Sequence, residues 1–520
     1  MTSSPDSHLM LAFEGATVPE WLSETLTTRP PAGVTLFREH NIESPSQVST
    51  LIEELQRLNS GDQPLFIAVD QEGGQLLGLT GSTPFAGNMA LGAANDPGLT
   101  QRVAEAMGDE LRSVGINLNY APVADVASRP RNPSLGVRSF GEDPRLVADH
   151  VAAAVAGYRS ARVLATLKHF PGKGEATVDP HFELPRMDLE RDRLDQVELL
   201  PFVSGFDAGA DLVMTGHYAV PALTDHHDLP VSMSAAAIDG FVRKELGFGG
   251  LVITDALDMG ALDQGAGQII DIIASIAGGT DLLLCMPDPD LRERARLAVE
   301  RGVSRRLISQ HTLDASDARI DAVRAGLGTD EPDPGVVGSH GELARELAQR
   351  SVTLVRNDEA LLPVAVDSET SILVLEPEPT NVTPADTSAL YPACLGRAVA
   401  AHHNRVESVI FPHDPTPTEV GALTETASRH DLVVVGTVNA TEGQSSLVER
   451  LLEGATPMIT VAMREPQDLG TYPGARTHLC TYSGHQPSLE AAASAMFGLT
   501  SFAGQLPVTI PGLFGIGHGI

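Results

Sequence analysis

The chain has 520 residues, enough for two ordinary domains, and 42% of them are apolar, so it can bury a large core. Its formal net charge of −33 argues against a nucleic-acid partner or an anionic membrane surface, because phosphate contacts depend on clusters of Lys and Arg. No stretch approaches the roughly 20 apolar residues that span a bilayer, so we predict no membrane partner.

The N-terminal segment MTSSPDSHLMLAFEGATVPE has neither a basic start nor a long apolar run, so it does not resemble a signal peptide. The three cysteines, Cys285, Cys394 and Cys480, are far apart, which favours a reducing compartment over a disulfide framework. No Cys or Cys/His spacing indicates a metal site. We therefore expect a cytoplasmic protein with no metal and no other cofactor.

Short apolar runs recur through the first part of the chain, separated by segments with helical periodicity. The runs that we predict as strands are 9–13, 33–37, 65–69, 116–120, 163–167, 211–215, 251–254 and 281–285. Two intervening segments, 47–59 and 99–114, have the apolar spacing of amphipathic helices. Strand and helix alternating eight times predicts a TIM-type (β/α)8 barrel, with one or two strands irregular.

A segment rich in Gly, Pro and acidic residues, 326–342, predicts a linker after a catalytic barrel domain of residues 1–325. Six further strand candidates follow it, at 352–355, 371–376, 407–411, 431–437, 457–462 and 477–482. No nucleotide-binding glycine fingerprint follows the first of them. Residues 343–520 are predicted to form a smaller α/β sandwich domain with an open, mostly parallel sheet that packs against the barrel or shapes its cleft.

Polar and charged residues follow five of the predicted barrel strands, at the end where the active sites of such barrels lie. They are Asp70 after strand 3, Asp125 after strand 4, Lys168 and His169 after strand 5, His217 after strand 6 and Asp255 after strand 7. Taken singly, Asp255 is as typical of a helix N-cap as of a nucleophile. Lys168 is compatible both with an ion pair at the rim of the barrel and with a hydrogen bond to a substrate hydroxyl. Their coincidence at five strand ends indicates a functional site.

Asp179 and His181 lie just beyond a glycine-rich loop that follows strand 5. Pro180 favours an extended conformation for Asp179, and an Asp near a His orients the imidazole and raises its pKa. The same pair is common in ordinary loops. A Ser-His-Asp hydrolase is disfavoured because no G-x-S-x-G nucleophile elbow occurs.

The segment KHFPGKGEATVDPHFELP (168–185) closely resembles the signature loop of bacterial β-N-acetylglucosaminidases of glycoside hydrolase family 3. The resemblance covers most of the chain and includes VDQEGG (69–74), NPSLGVRSFGEDP (132–144) and GFGGLVITDALDMGAL (247–262). It extends through the C-terminal part, as in the two-domain members. The resemblance implies a TIM-type barrel and a retaining, metal-free reaction through a covalent glycosyl-enzyme.

The resemblance also implies a role for each matching residue. Asp255 matches the nucleophile, His181 matches the general acid/base and Asp179 matches its partner. The residues that match those holding the terminal sugar are Asp70, Arg138, Lys168 and His169. Histidine suits the acid/base role because it titrates near neutrality and can both donate and accept the proton.

Three departures from the family pattern leave the exact sugar open. Pro180 lies between Asp179 and His181, where many members have Ser or another small residue. Lys173 lies where the family loop usually has His, which suggests the hypothesis of added positive charge for an anionic ligand. The run Gln75-Leu76-Leu77-Gly78 lacks the Arg that many members carry after the EGG segment.

The expected activity is that of a retaining exo-β-N-acetylglucosaminidase that removes terminal N-acetylglucosamine from peptidoglycan- or chitin-derived oligosaccharides. Its partner would be a small oligosaccharide or glycoside. Phosphorolysis with inorganic phosphate stays open, because imidazole, unlike a carboxylate, does not repel an incoming phosphate. A β-glucosidase or dual-specificity glycosidase is a third alternative. A non-catalytic sugar-binding protein is disfavoured, because both matched catalytic residues are present.

Overall fold

The computed structural model describes residues 4–328 and 332–520. The strands of the first half are β1 (Leu9–Leu11), β2 (Gly33–Thr35), β3 (Phe66–Val69), β4 (Gln71–Gly73), β5 (Leu76–Leu77), β6 (Leu118–Asn119), β7 (Leu164–Phe170), β8 (Leu212–Thr215), β9 (Leu251–Thr254) and β10 (Leu283–Cys285). Its helices are α1 (Glu20–Thr28), α2 (Pro45–Leu58), α3 (Asn88–Ala94), α4 (Pro97–Ser113), α5 (Pro144–Ser160), α6 (Arg191–Gln196), α7 (Leu200–Asp207), α8 (Pro221–Thr224), α9 (Gln268–Ala277), α10 (Pro289–Ser304) and α11 (Gln310–Arg324). A π-helix spans Ala236–Glu245.

Eight of these strands form one parallel sheet in the order β10-β1-β2-β3-β6-β7-β8-β9. An isolated parallel bridge between Ile253 and Leu282 joins its two ends, so the sheet is a nearly closed barrel. The hairpin β4–β5 is antiparallel and follows β3 directly. The predicted TIM-type barrel is confirmed, with β6 reduced to two residues.

Alternate residues of the barrel strands pack into two different apolar clusters. Met10, Phe66 and Ile253 belong to the cluster that fills the barrel interior. Leu9 and Ile67, their neighbours in sequence, pack outward against the surrounding helices. Both faces of these strands are covered, which explains why the strands are continuous apolar runs rather than alternating ones.

Four barrel helices begin with the same two-residue signal, a short polar residue followed by Pro. The side chains of Ser44, Asp96, Asp143 and Asp288 each accept a hydrogen bond from a backbone N–H of the first turn of α2, α4, α5 and α10. Pro at the first helical position lacks only an N–H that has no partner within the helix. These starts fix where the loop after each preceding strand ends.

The second half contains β11 (Thr353–Asn357), β12 (Ile372–Pro377), β13 (Val406–Phe411), β14 (Leu432–Thr437), β15 (Met458–Ala462) and β16 (Thr477–Cys480). Its helices are α12 (Gly341–Ser351), α13 (Leu395–Ala400), α14 (Pro417–Ala427), α15 (Glu442–Leu452) and α16 (Gln486–Met496). The sheet order is β11-β16-β15-β14-β12-β13, and only the pairing of β11 with β16 is antiparallel within the described residues. The predicted open, mostly parallel sheet is confirmed.

The predicted domain bounds remain a proposal. The last helix before the predicted linker ends at Arg324, and α12 already begins at Gly341. Residues 329–331 of the predicted linker lie outside the described residues. Within the described part of the chain, no helix has the length and apolar character needed to cross a bilayer.

Candidate active site

A cavity of about 340 Å³ opens where the barrel strands end. Six of the seven predicted site residues line it, namely Asp70, Arg138, Lys168, His169, His181 and Asp255. The seventh, Asp179, lies behind His181 and contacts it directly. The strand ends and two long loops therefore bring the predicted residues together.

One wall of the cavity is a charged cluster, which we define as Asp70, Glu72, Arg138 and Lys168. Arg138 donates two hydrogen bonds to Glu72, at 2.9 and 2.8 Å, and Lys168 Nζ lies 2.7 Å from Glu72 and 2.5 Å from Asp70. Burial disfavours the charged form of Glu72, but Arg138 and Lys168 together hold the pKa of this carboxyl well below its ordinary value. Burial likewise opposes the charge of Lys168, and the two carboxylates keep its pKa above the ordinary value. Glu72 thus holds both cations in place.

His169 is fixed in one tautomer by its neighbours. Its Nδ1 lies 2.8 Å from Asp125 Oδ2, and its Nε2 lies 3.4 Å from Arg138 Nη2. Burial, with the nearby cations Lys173 and Arg138, lowers the pKa of His169 well below its ordinary value, so the ring is neutral. A neutral ring that donates from Nδ1 to Asp125 presents Nε2 as an acceptor, which suits a sugar hydroxyl.

Asp255 follows β9 and is partly exposed to the cavity. Its Oδ1 accepts a hydrogen bond of 2.9 Å from the backbone N–H of Ala256. Burial opposes ionisation, yet nearby imidazoles and this N–H lower the pKa of Asp255. The group is therefore an anion. His217 is itself fixed by Ser232 Oγ at 2.7 Å.

Residues 171–185, which follow β7, form a long loop across the cavity that we call the His181 loop. Asp179 Oδ1 lies 2.6 Å from His181 Nδ1 and also accepts the backbone N–H of His181 at 3.0 Å. Burial would raise the pKa of Asp179, but these hydrogen bonds lower it. The bond orients the ring and leaves Nε2 for the cavity.

The distal half of the His181 loop docks on the segment that follows Asp255. The backbone N–H of Gly260 donates to His181 O, and that of Ala261 donates to Pro180 O, each at 3.0 Å. A Cβ at position 260 would lie 2.7 Å from Phe182 O and 2.8 Å from His181 O. Only glycine at position 260 therefore permits this docking without a shift.

The proximal half of the His181 loop is fixed more firmly. Asn132 Nδ2 donates to the carbonyls of Lys173 and Gly174 at 2.9 and 3.0 Å, and the backbone N–H of Lys173 donates to Asp125 Oδ1 at 2.9 Å. Within the described residues, the ammonium of Lys173 has neither an ion pair nor a side-chain hydrogen bond, although it is buried and lines the cavity. Burial and the charge of Arg138 lower the pKa of Lys173 to about 7.

A second wall of the cavity comes from the second half of the chain. Residues 384–387, which follow β12, line the cavity opposite the barrel. Gln75 Nε2 donates to Ala385 O at 2.8 Å, and Thr387 Oγ1 donates to Gln75 O at 3.1 Å. Arg464 binds both Asp386 and Gln75. Gln75, the first residue of the run that lacks the family Arg, therefore connects the two halves. Arg38 is among the residues that line the cavity.

Residues 13–323, more than half of the chain, match the N-terminal domain of glycosyl hydrolase family 3. The chain belongs to this family. The structure of a glycoside hydrolase family 3 β-N-acetylglucosaminidase from Paenibacillus sp. str. FPU-7 is 32% identical, has a TM-score of 0.91, and the match covers 97% of this chain and 98% of that one. β-Hexosaminidase A of Pseudoalteromonas piscicida is 29% identical over 552 residues, 95% of this chain and 92% of its own.

A third relative is the β-N-acetylglucosaminidase/β-glucosidase of Cellulomonas fimi, which is 28% identical over 530 residues, 94% of this chain and 90% of its own. These similarities confirm the family resemblance seen in the sequence. The prediction of a glycoside hydrolase is confirmed with it.

Sequence reasoning missed several residues of this family 3 site. Glu72 was quoted only as part of a motif, and Asn132 and Gln75 were given no part in the site. Asp386 and Arg464, from the second half, were not considered at all. The signal for Glu72 was its place two residues after Asp70, beyond the end of β3. No group of three or more His, Cys, Asp or Glu side chains in the described residues has the geometry of a metal site.

Proposed function

We propose that this family 3 hydrolase is a retaining exo-β-N-acetylglucosaminidase, with Asp255 as nucleophile and His181 as general acid/base. The observation that carries the proposal is that Asp255 and the Asp179-oriented His181 face one cavity whose inner wall is the charged cluster. The names of the relatives from Paenibacillus and Pseudoalteromonas support the same activity.

In the first step, a carboxylate oxygen of Asp255 attacks C1 of the terminal sugar while the bond from C1 to the leaving oxygen breaks. His181, in its protonated form, gives its proton to that oxygen. The low pKa of Asp255 keeps the group anionic, as an oxocarbenium-like transition state requires. Asp179 stabilises the imidazolium before transfer.

In the second step, His181 takes a proton from water, the water oxygen bonds to C1, and the carboxylate of Asp255 is released. Two displacements at C1 retain the configuration. No step requires a metal, because both proton transfers use the same imidazole.

The inner end of the cavity supports exo-action on a terminal sugar. Asp70, Arg138, Lys168 and His169 present both acceptors and donors there, and the contacts among them are already formed. Such an arrangement suits a sugar that has hydroxyl groups and no further residue on that side. We propose that these four residues hold the terminal N-acetylglucosamine.

The decisive experiment is to digest a neutral N-acetylglucosaminyl disaccharide and follow the anomeric protons by NMR. We expect β-N-acetylglucosamine to appear first and to mutarotate afterwards. First appearance of the α-anomer would overturn the retaining mechanism. The corresponding β-glucoside is digested in parallel, and cleavage of that glucoside alone would favour a β-glucosidase. Release of internal fragments from longer oligosaccharides would overturn exo-action.

Phosphorolysis is the second candidate function, and the unpaired ammonium of Lys173 in the cavity favours it. An anion that enters after the leaving group departs would find this charge near C1. Repeating the digestion with millimolar phosphate separates the two candidates. A sugar 1-phosphate formed faster than free sugar would make the protein a phosphorylase, and free sugar alone would make it a hydrolase.

The place of action is proposed to be the cytoplasm. All three cysteines are free and buried, which fits a reducing compartment. Peptidoglycan- or chitin-derived oligosaccharides are the proposed substrates there.

A further inference from the structure

An open groove of about 480 Å³ adjoins the cavity. It is lined by residues of the His181 loop, including Asp179, Phe182 and Glu183, and by residues 382–384 of the second half. Pro384 lines both the groove and the cavity, and the His181 loop contributes residues to both, so the two spaces meet at these residues. The groove is therefore a candidate for the second sugar of a substrate whose terminal sugar fills the cavity.

Phe182 places an exposed aromatic ring on the wall of the groove. It is 75% exposed, the highest value among the large apolar side chains of the described residues. Its backbone is held against Gly260 and its N–H donates to Asp179 O at 3.0 Å, so the exposed ring is attached to an ordered segment. An aromatic ring next to the proposed acid/base is a suitable surface for the C–H face of a pyranose, because dispersion and burial both favour that contact.

The charged side chains that line the groove are acidic. The groove carries Asp179 and Glu183 and has no Lys or Arg among the described residues that line it. Glu39 and Asp258 add two carboxylates to the lining of the adjoining cavity. Arg38 also lines the cavity, and its guanidinium is bound to Leu77 O and the Tyr391 hydroxyl. An anionic leaving group in the groove would meet the like charges of Asp179 and Glu183.

We propose that the groove between Phe182 and Pro384 is the leaving-group site, and that it accepts an uncharged second pyranose. The favoured substrates would then be neutral β-linked amino-sugar oligosaccharides rather than glycosides whose second sugar carries a carboxylate. This inference rests on the proposed N-acetylglucosaminidase function. It also gives residues 382–384, from outside the barrel, a part in substrate selection.

The test uses two disaccharides that differ in one group. Both have N-acetylglucosamine β-1,4-linked to a second N-acetylated sugar, and in one of them that sugar carries a lactyl ether carboxylate at O3. We expect kcat/KM of the wild-type enzyme to be about tenfold higher for the neutral disaccharide at low salt, and the preference to shrink as salt rises. An equal or higher value for the carboxylate-bearing disaccharide would overturn the inference.

Phe182→Ala tests the position of the site. N-acetylglucosaminyl fluoride, whose leaving group is too small to reach the groove, serves as reference substrate. We expect the ratio of kcat/KM for the neutral disaccharide to that for the fluoride to fall about tenfold, as for the loss of one buried aromatic contact. Leu499→Ala, which removes a 66% exposed side chain elsewhere, is the matched control and should leave the ratio unchanged. An unchanged ratio in Phe182→Ala would overturn the placement.

Glu183→Gln tests the charge argument separately. We expect it to raise kcat/KM for the carboxylate-bearing disaccharide by about two- to threefold, with a much smaller change for the neutral one. Equal changes for both substrates would contradict a role for this charge. If the wild-type enzyme cleaves neither the fluoride nor any disaccharide, the proposed function itself fails, and this outcome differs from all those above.

Discussion

The charged cluster and the distal half of the His181 loop face each other across one cavity, but they are held in different ways. Asp70, Glu72 and Lys168 lie at or near the ends of β3 and β7, and Arg138 lies on the segment between β6 and α5. Glu72 bonds both cations of the cluster. The distal loop depends on two backbone hydrogen bonds to Gly260 and Ala261. The cluster also has buried charges whose pairing is costly to break, whereas the loop has an exposed apolar ring.

Under the proposed roles, this difference separates sugar binding from proton transfer. A site that holds a sugar gains from groups that are already oriented before the sugar arrives. A group that serves first as acid and then as base must meet two different partners, the leaving oxygen and the incoming water. A docked loop suits this second task, because few contacts need to change between the two steps.

Asp255→Ala is expected to have the largest effect, because it removes the carboxylate that we propose as the nucleophile. We expect kcat to fall about 10⁴-fold, a typical loss when a nucleophile is deleted. Added azide should restore turnover by attacking C1 from the vacated side, giving the α-glycosyl azide. NMR of the product checks this expectation. Asp258→Ala, which removes a carboxylate from the same cavity, is the control and should cost less than about tenfold.

Glu72→Ala tests whether the cluster is held by its central carboxylate. The change leaves Arg138 and Lys168 buried with one partner fewer, so we expect the free energy of unfolding to fall by about 3–5 kcal/mol. Urea denaturation measures this loss. Glu346→Ala, which breaks a bidentate but exposed pair with Arg102, should cost less than about 1 kcal/mol. Similar losses in the two variants would mean that the cluster has no special part in stability.

Lys173 gives the proximal loop a pH-dependent contribution to stability. Its pKa is about 7 in the folded protein against an ordinary 10.5, so the folded state bears the cost of a buried charge below pH 7. Between pH 7 and 10.5 the unfolded chain binds the extra proton, and stability rises with pH through this window. Lys173→Met should therefore stabilise the protein by on the order of 3 kcal/mol at pH 6, and the gain should vanish above pH 10.5.

Urea unfolding at pH 6, 8 and 10 measures this dependence. Lys244→Met, at an exposed lysine paired with Asp239, is the control and should change stability by less than about 0.5 kcal/mol at each pH. A gain from Lys173→Met that is the same at pH 6 and pH 10 would contradict the buried charge.

Gly260→Ala is expected to have the smallest effect and to act on the loop alone. The new Cβ displaces the carbonyls of His181 and Phe182, so we expect kcat/KM for a disaccharide to fall about tenfold. The value of kcat/KM for N-acetylglucosaminyl fluoride should fall less, because the fluoride ion departs with little help from a general acid. Gly249→Ala, where a Cβ meets nothing within 4 Å, is the control. Equal losses for both substrates would show that the variant damages more than proton transfer.

Local pattern predicted the fold because strand and helix signals are short in range. All eight barrel strands and all six later strands overlap predicted runs. The site residues at strand ends could be found for the same reason, and the family resemblance added Arg138 and the Asp179–His181 pair. Their assigned roles stay predictions.

The remaining residues of the site could not be predicted, because their part in it depends on contacts between distant parts of the chain. Glu72 bonds Arg138 across 66 positions, and Gln75 meets Arg464 across 389. No local pattern indicates such pairs, because each partner looks like an ordinary polar residue in its own segment. The sequence predicted that the second domain packs against the barrel or shapes its cleft, but the residues that form the second wall could not be identified for the same reason.

Residues 384–387 reach the cavity from outside the barrel and are bonded to the barrel through Gln75. Changes in this short segment alter no residue that follows a barrel strand. Under the proposed assignments, divergence in these few codons is a short evolutionary route to a relative that binds the same terminal sugar but releases it from a different partner.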